Sequence, residues 1–140
     1  MKIRLSPKQK IHIANSKDIF LVMREILKRE NKIGKTQEHF WIVGLDRTNR
    51  ISYIELMALG THNIVAITPK QVFKMAVYKD AEKIIAVHNH PSGNMIPSDS
   101  DKHMTEALKH GGYFIGIKLY DHLIISEKKY FSFRDRKLLK

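Results

Sequence analysis

Ile84-Ile85-Ala86-Val87 is an apolar run that stops abruptly in His88-Asn89-His90-Pro91-Ser92-Gly93. Such a run reads as a buried strand, so the chain is expected to build a sheet around it. Pro91 and Gly93 break the strand and turn the chain. Alternate residues of a strand point to one face, so His88 and His90 project together. Further on, Pro97-Ser98-Asp99-Ser100-Asp101 opens a predicted helix whose start can fold back over the strand end. Asp101 lies one turn into that helix. Two imidazoles and a carboxylate can share one divalent ion and leave a coordination position for water. That donor set suits a catalytic zinc ion rather than a closed structural one.

The rest of the chain supplies the layers for such a sheet. Residues 17–29 read as a helix capped by Ser16, with Ile19, Phe20, Met23, Ile26 and Leu27 as its apolar stripe. Asn31 to Thr36 is a polar loop. Residues 40–45 and 51–59 read as strands joined through the turn 46–50, a hairpin. A turn at Gly60-Thr61-His62-Asn63 precedes a short strand over 64–67. Thr68-Pro69-Lys70-Gln71 is a strong helix start, with Thr68 as cap, Pro69 first, and Gln71 completing a capping box. Residues 83–87 form the strand before the histidines. The third helix starts at Ser98, buries Met104, Ala107 and Leu108, and ends at Gly111-Gly112. Residues 114–119 and 122–126 read as two closing strands, and 131–140 as a basic tail. Helices alternate with strands, and hairpins stand at both ends. The expected class is α/β (α+β), a mixed sheet flanked by helices.

A chain of 140 residues with 43% apolar content is expected to be one domain with a real core. No run approaches the roughly 18–20 apolar residues that span a bilayer, and the N-terminus has no signal-peptide pattern. The absence of cysteine excludes disulfides and thiolate metal sites, leaving His, Asp and Glu as ligands. These features fit a cytoplasmic protein without a membrane partner. The formal net charge of +11 suits an acidic partner such as DNA. The Lys and Arg residues are nonetheless dispersed, and no aromatic nucleic-acid motif accompanies them.

Ser98 and Asp101 also have the spacing of a helix cap and its third-position acid. The two roles are compatible, since one carboxylate oxygen can face a metal while the other takes an amide. Water activation needs a base as well. Glu38, just before the strand 40–45, is the candidate, with Glu55 and Glu82 as competitors. His62, His103, His110 and the pair Asp121-His122 carry less weight, and Asp121-His122 reads as a turn between strands.

These residues resemble a known family. Gln37-Glu38-x-Phe40, Gly60-Thr61, Pro69-x-x-Val72-Phe73-x-x-Ala76, His88-Asn89-His90-Pro91-Ser92-Gly93-x-x-x-Pro97-Ser98-x-x-Asp101, Thr105, Asp121-His122-x-Ile124-Ile125 and Ser132-Phe133 are similar to the RadC family of the JAB/MPN superfamily. The superfamily's metal pattern is called JAMM, and its spacing holds here without a gap. The resemblance implies a fold related to cytidine deaminase. It implies His88, His90 and Asp101 as zinc ligands, Glu38 as the acid that activates water, and Ser98 as the residue that helps hold an oxyanion. It divides the chain into an N-terminal helical extension (1–36), the RadC-like domain (37–133) and a basic tail (134–140). RadC proteins commonly carry a helix-hairpin-helix module upstream, and 36 residues are too few for one. Lys70 also stands where the family often has Arg.

The implied activity is zinc-dependent hydrolysis of an amide or isopeptide bond in a protein or peptide, with a nominal link to DNA repair. The alternative is a DNA-associated accessory protein in which the basic surface matters and the metal is not hydrolytic. A His-Asn-His nuclease is disfavoured, because that class disperses its residues over a ββα unit. A zinc deaminase of the usual kind lacks its cysteine ligands here.

Overall fold

A computed structural model describes residues 12–60 and 67–139. Its elements follow in the order α1 (Ser16–Lys28), β1 (His39–Leu45), β2 (Ile51–Leu59), α2 (Pro69–Tyr78), β3 (Lys83–Asn89), α3 (Asp99–Ile115), β4 (Lys118–Ile125) and β5 (Tyr130–Ser132). The strands form one sheet in the order β2-β1-β3-β4-β5. β1 pairs antiparallel with β2 and β3, β3 runs parallel to β4, and β4 pairs antiparallel with β5. This is the α+β architecture expected, a mixed sheet with helices on its faces.

The central position of β3 explains its composition. Ile84 and Ala86 enter one core with Phe40, Phe73 and Leu108, on the side of α2 and α3. Ile85 and Val87 enter the other, with Trp41 and the α1 residues Ile19, Phe20 and Met23. A strand covered on both faces needs an unbroken apolar run, because neither set of side chains meets water. The same alternation continues to the strand end. His88 therefore falls on the α2/α3 face and Asn89 on the α1 face.

The helix starts follow local chemistry. Thr68 and Gln71 form the expected capping box at α2. At α1 the cap is Asn15 rather than Ser16: the Asn15 side chain accepts from the Asp18 N–H. Ser16 is buried instead, and its hydroxyl donates to Asp135.

Several expectations for the C-terminal half are corrected. Gly111 and Gly112 lie within α3, which ends at Gly116 in the left-handed region (φ 75°). A side chain at Gly112 would place its Cβ 2.0 Å from the Ile117 carbonyl oxygen, so this glycine lets the chain double back against the helix. Phe114 and Ile115 are consequently helical, not strand. Ala107 faces solvent, and the buried stripe of α3 is Asp101, Met104, Thr105, Leu108 and Gly112. Finally, 118–125 is one strand, with Asp121 and His122 in its interior rather than in a turn. The segment read as a basic tail begins with β5 and buries Phe133 and Leu139. His62 and most of the turn and strand expected over 60–67 lie outside the described residues, as do residues 1–11. Among the described residues no helix is long and apolar enough to cross a membrane.

Candidate metal centre

The C-terminal end of β3 and the N-terminus of α3 meet on one side of the sheet. His88 ends the inward-facing set of β3, and His90 follows with its N–H still bonded to the Ile125 carbonyl at 3.2 Å. At α3 the Ser98 hydroxyl accepts from the Asp101 N–H at 3.1 Å, and Asp101 Oδ2 accepts from the Ser98 N–H at 2.8 Å. This reciprocal box holds the Asp101 carboxylate against the first turn, facing the histidines. Asp101 Oδ1 lies 3.0 Å from His88 Nε2, and Oδ2 lies 3.3 Å from His90 Nε2. The two Nε2 atoms are 3.1 Å apart. The cap and the cluster are thus served by one carboxylate.

The donor chemistry fits a divalent cation. One ligand atom from each of His88, His90 and Asp101 lies within 4.8 Å of the others. His90 Nδ1 is 2.6 Å from the Asn94 carbonyl, which can only accept, so that nitrogen carries the proton and Nε2 offers its lone pair to the cluster. Converging lone pairs and a buried carboxylate repel one another unless a cation or a proton lies among them. The charges of the metal-free cluster reflect this. Burial opposes ionisation of Asp101, but the bonds from His88, His90 and the Ser98 N–H hold its carboxyl far below the ordinary carboxylate range. Burial likewise opposes charging of His90. The Asp101 carboxylate, the Asn94 carbonyl and the charge of Glu38 outweigh it and raise the His90 pKa above the ordinary value.

Glu38 approaches from the neighbouring strand. Phe40 pairs with His88 at the end of the antiparallel register, and Glu38, two residues before Phe40, lies close enough for its charge to act on His90. Glu38, Phe40, Ala58, Gly60 and His88 line a narrow crevice. The backbone around Glu38 is held on both sides: its carbonyl accepts from the Gly60 N–H at 2.8 Å. Asn89 Oδ1 accepts from the His39 N–H at 2.6 Å, and Asn89 Nδ2 donates to the Gln37 carbonyl at 3.0 Å. The central residue of His-Asn-His thus brackets the segment that carries the acid. Of the competitors, Glu55 pairs with Ile42 on β2, two strands from β3, and Glu82 precedes β3 at its far end. His103 is exposed on α3, and exposed His110 faces Glu106 at 3.3 Å.

A family model described as the RadC-like JAB domain matches residues 13–138. The chain belongs to that family. Similar curated proteins include a UPF0758 protein of Chlorobium chlorochromatii, 38% identical over 99% of this chain and 60% of the relative. A UPF0758 protein of Pelodictyon phaeoclathratiforme is 44% identical over 75% of the chain and 47% of the relative. One from Methanosarcina mazei is 36% identical over 96% of the chain and 56% of the relative. The chain therefore spans roughly half to three fifths of the length of these relatives.

In this RadC-like JAB domain one participant received too little weight from the sequence. His122 is fully buried beside the centre, with Nε2 2.9 Å from His88 Nδ1 and Nδ1 2.6 Å from Thr105 Oγ1. Burial, reinforced by the nearby His88, keeps its pKa well below the ordinary histidine value. A signal was present: no Gly, Pro or Asn interrupts 117–125, so nothing there marks a turn. Read as one strand, that segment puts His122 on the same face as Ile124, which is paired with His88.

Proposed function

We propose that this RadC-like JAB domain is a zinc-dependent hydrolase acting on an amide or isopeptide bond of a protein or peptide. The observation that carries the reading is the convergence of His88, His90 and Asp101 beside an acid, Glu38, that stands outside the ligand set. A structural metal needs no such neighbour, whereas hydrolysis does. When bound, zinc supplies Lewis acidity, which acidifies water and polarises a carbonyl. His88, His90 and Asp101 would hold it. Glu38 takes the proton from the attacking water and returns it to the leaving nitrogen. Ser98 accepts the Asp101 N–H with a lone pair, which leaves its hydroxyl proton to donate to the developing oxyanion. Donors of this kind are worth roughly 3–4 kcal/mol in other hydrolases.

The test is metal content together with turnover of an isopeptide-linked reporter. Purified protein is expected to hold about one zinc per chain, and a His88→Ala/His90→Ala double variant to hold none. Glu38→Gln is expected to keep the zinc and lose turnover. Full zinc retention in the double variant would refute the ligand assignment, and full turnover in Glu38→Gln would refute the base. A second reading, DNA association, is favoured by the net charge of +11. A salt titration of DNA binding separates the two, because phosphate contacts give a steep loss of affinity with salt.

A further inference from the structure

We infer that Thr105 and His122 form a positioning relay that determines which nitrogen of His88 faces the metal. The inference rests on reading His88, His90 and Asp101 as a metal centre, and it concerns how the centre is held rather than what it cleaves.

The relay starts from the one group of fixed polarity, the Asp101 main-chain carbonyl, which only accepts. Thr105 Oγ1 lies 2.9 Å from it, so the hydroxyl proton points there. A helical threonine commonly donates in this way to the carbonyl four residues back. The Thr105 oxygen is then an acceptor for His122 Nδ1 at 2.6 Å, and that nitrogen must carry a proton. His122 is wholly buried, stacked on Phe133 at 4.7 Å and edge-on to Phe40 at 6.3 Å. A ring sealed among aromatics is neutral and has a single N–H. Its Nε2 is therefore bare and accepts from His88 Nδ1 at 2.9 Å. With a proton on Nδ1, His88 turns Nε2 to Asp101 and His90 as its ligand atom, and a cation bound there takes the place of the hydrogen bond to Asp101.

The opposite polarity is opposed at the backbone end and does not serve a metal at the other. If Thr105 donated to His122, the Asp101 carbonyl would face an oxygen without a proton. His88 would also carry its proton on Nε2, where it would block coordination. The relay thus begins at the backbone of Asp101 and ends beside the carboxylate of the same residue. It links β3, β4 and the first turn of α3. A partner that fixes the tautomer of a ligand histidine typically changes metal affinity by about 10–100-fold.

Three variants separate the relay from packing. His122→Phe keeps the stack on Phe133 and removes both nitrogens. His122→Gln restores an acceptor and a donor. Thr105→Val keeps the shape and removes the hydroxyl. Zn2+ affinity is measured by competition with a chromophoric chelator, and ring protonation by long-range 1H–15N spectra of the metal-free protein. The expected spectrum shows a proton on Nδ1 of His88 and none on Nε2 of His122. His122→Phe is expected to lose about 10–100-fold in Zn2+ affinity while its metal-free form stays folded by circular dichroism. His122→Gln should recover most of that loss, and Thr105→Val should fall between. The relay is overturned by a bare His88 Nδ1, by a His122→Phe variant that matches the wild type, or by a His122→Gln variant no tighter than His122→Phe. If His122→Phe does not fold, Thr105→Val and the wild-type spectra decide. A wild-type protein that takes up no Zn2+ refutes the metal-centre reading, and the spectra still decide the relay.

Discussion

At the residue scale the centre depends on groups that never touch a substrate. Asn89 is buried, and its amide satisfies the His39 N–H and the Gln37 carbonyl on either side of Glu38. Asn89→Ala leaves the His39 N–H without its acceptor and the Gln37 carbonyl with only His39 Nδ1, at a cost of about 1–3 kcal/mol, and frees the backbone that aims Glu38. Turnover is expected to fall at least tenfold while zinc content stays near the wild-type value. Equal losses of zinc and turnover would instead make Asn89 a ligand-side residue. His90 supplies a second prediction. Its pKa is raised, so the metal-free protein keeps a proton there above the ordinary histidine range. The His90–Asp101 pair therefore stabilises the metal-free fold below about pH 6.5. That contribution is lost as the pH rises through the folded pKa of His90. On the acid side the depressed Asp101 pKa preserves the contribution above about pH 3.9, and it fades as the pH falls further. Metal must displace the His90 proton. Titration calorimetry near pH 7 in buffers of different ionisation heat should show proton release on Zn2+ uptake, and affinity that weakens toward acid. Heats independent of the buffer would contradict it.

At the element scale the first turn of α3 has two duties, one structural and one chemical. Ser98→Ala removes the cap, which costs about 1 kcal/mol of stability, and on the proposed mechanism it also removes the oxyanion donor. Ser98→Asp restores an N-cap acceptor but offers no ionisable-range proton to donate. Its thermal midpoint is therefore expected to return toward the wild type while turnover stays low. Recovery of both by Asp would mean that the cap alone matters. The elements also show where sequence reasoning reached its range. The helix starts at Thr68 and Ser98 were legible because a cap is a contact between residues three apart. The cluster of His88, His90 and Asp101 was legible for the same reason, being carried by one strand end and the next helix. Glu38 was placed by family resemblance, and its approach to the histidines follows from the pairing of β1 with β3, which composition does not encode. His122 was ranked too low because two polar residues inside 118–125 resemble a turn until the sheet supplies partners for them. Gly112 misled for a related reason. It reads locally as a helix stop, whereas its use is to admit the Ile117 carbonyl.

At the scale of the whole molecule, one buried acid ties the C-terminal segment to the sheet. Asp121 Oδ1 accepts from the N–H groups of His122 (2.7 Å) and Arg134 (3.0 Å), and Oδ2 accepts from the Ser132 hydroxyl at 2.6 Å. Ser132 Oγ in turn accepts from the Asp135 N–H, and Asp135 accepts from Ser16 at the start of α1. Burial pushes the Asp121 carboxyl up to about 6, against the downward pull of Ser132 and the two amides, with Asp135 adding a like charge. An acid whose folded pKa exceeds its unfolded value near 3.9 favours the fold when protonated. Its contribution is complete below about pH 4 and is lost as the pH rises through about 6. Two pKa units correspond to about 3 kcal/mol as an upper bound. Asp121→Asn cannot ionise, so its stability should not share that decline. Urea midpoints at closely spaced pH values between acid and neutral are expected to show the wild type losing stability relative to Asp121→Asn across this window. The comparison isolates Asp121, because the titrations of Asp101 and His90 are common to both proteins and lie on the opposite face of the sheet. Parallel pH profiles for the two proteins would mean that the Ser132 and amide bonds hold the Asp121 pKa near its unfolded value. The link from Ser16 to β4 would then be an ordinary ionised network, without a penalty for burial.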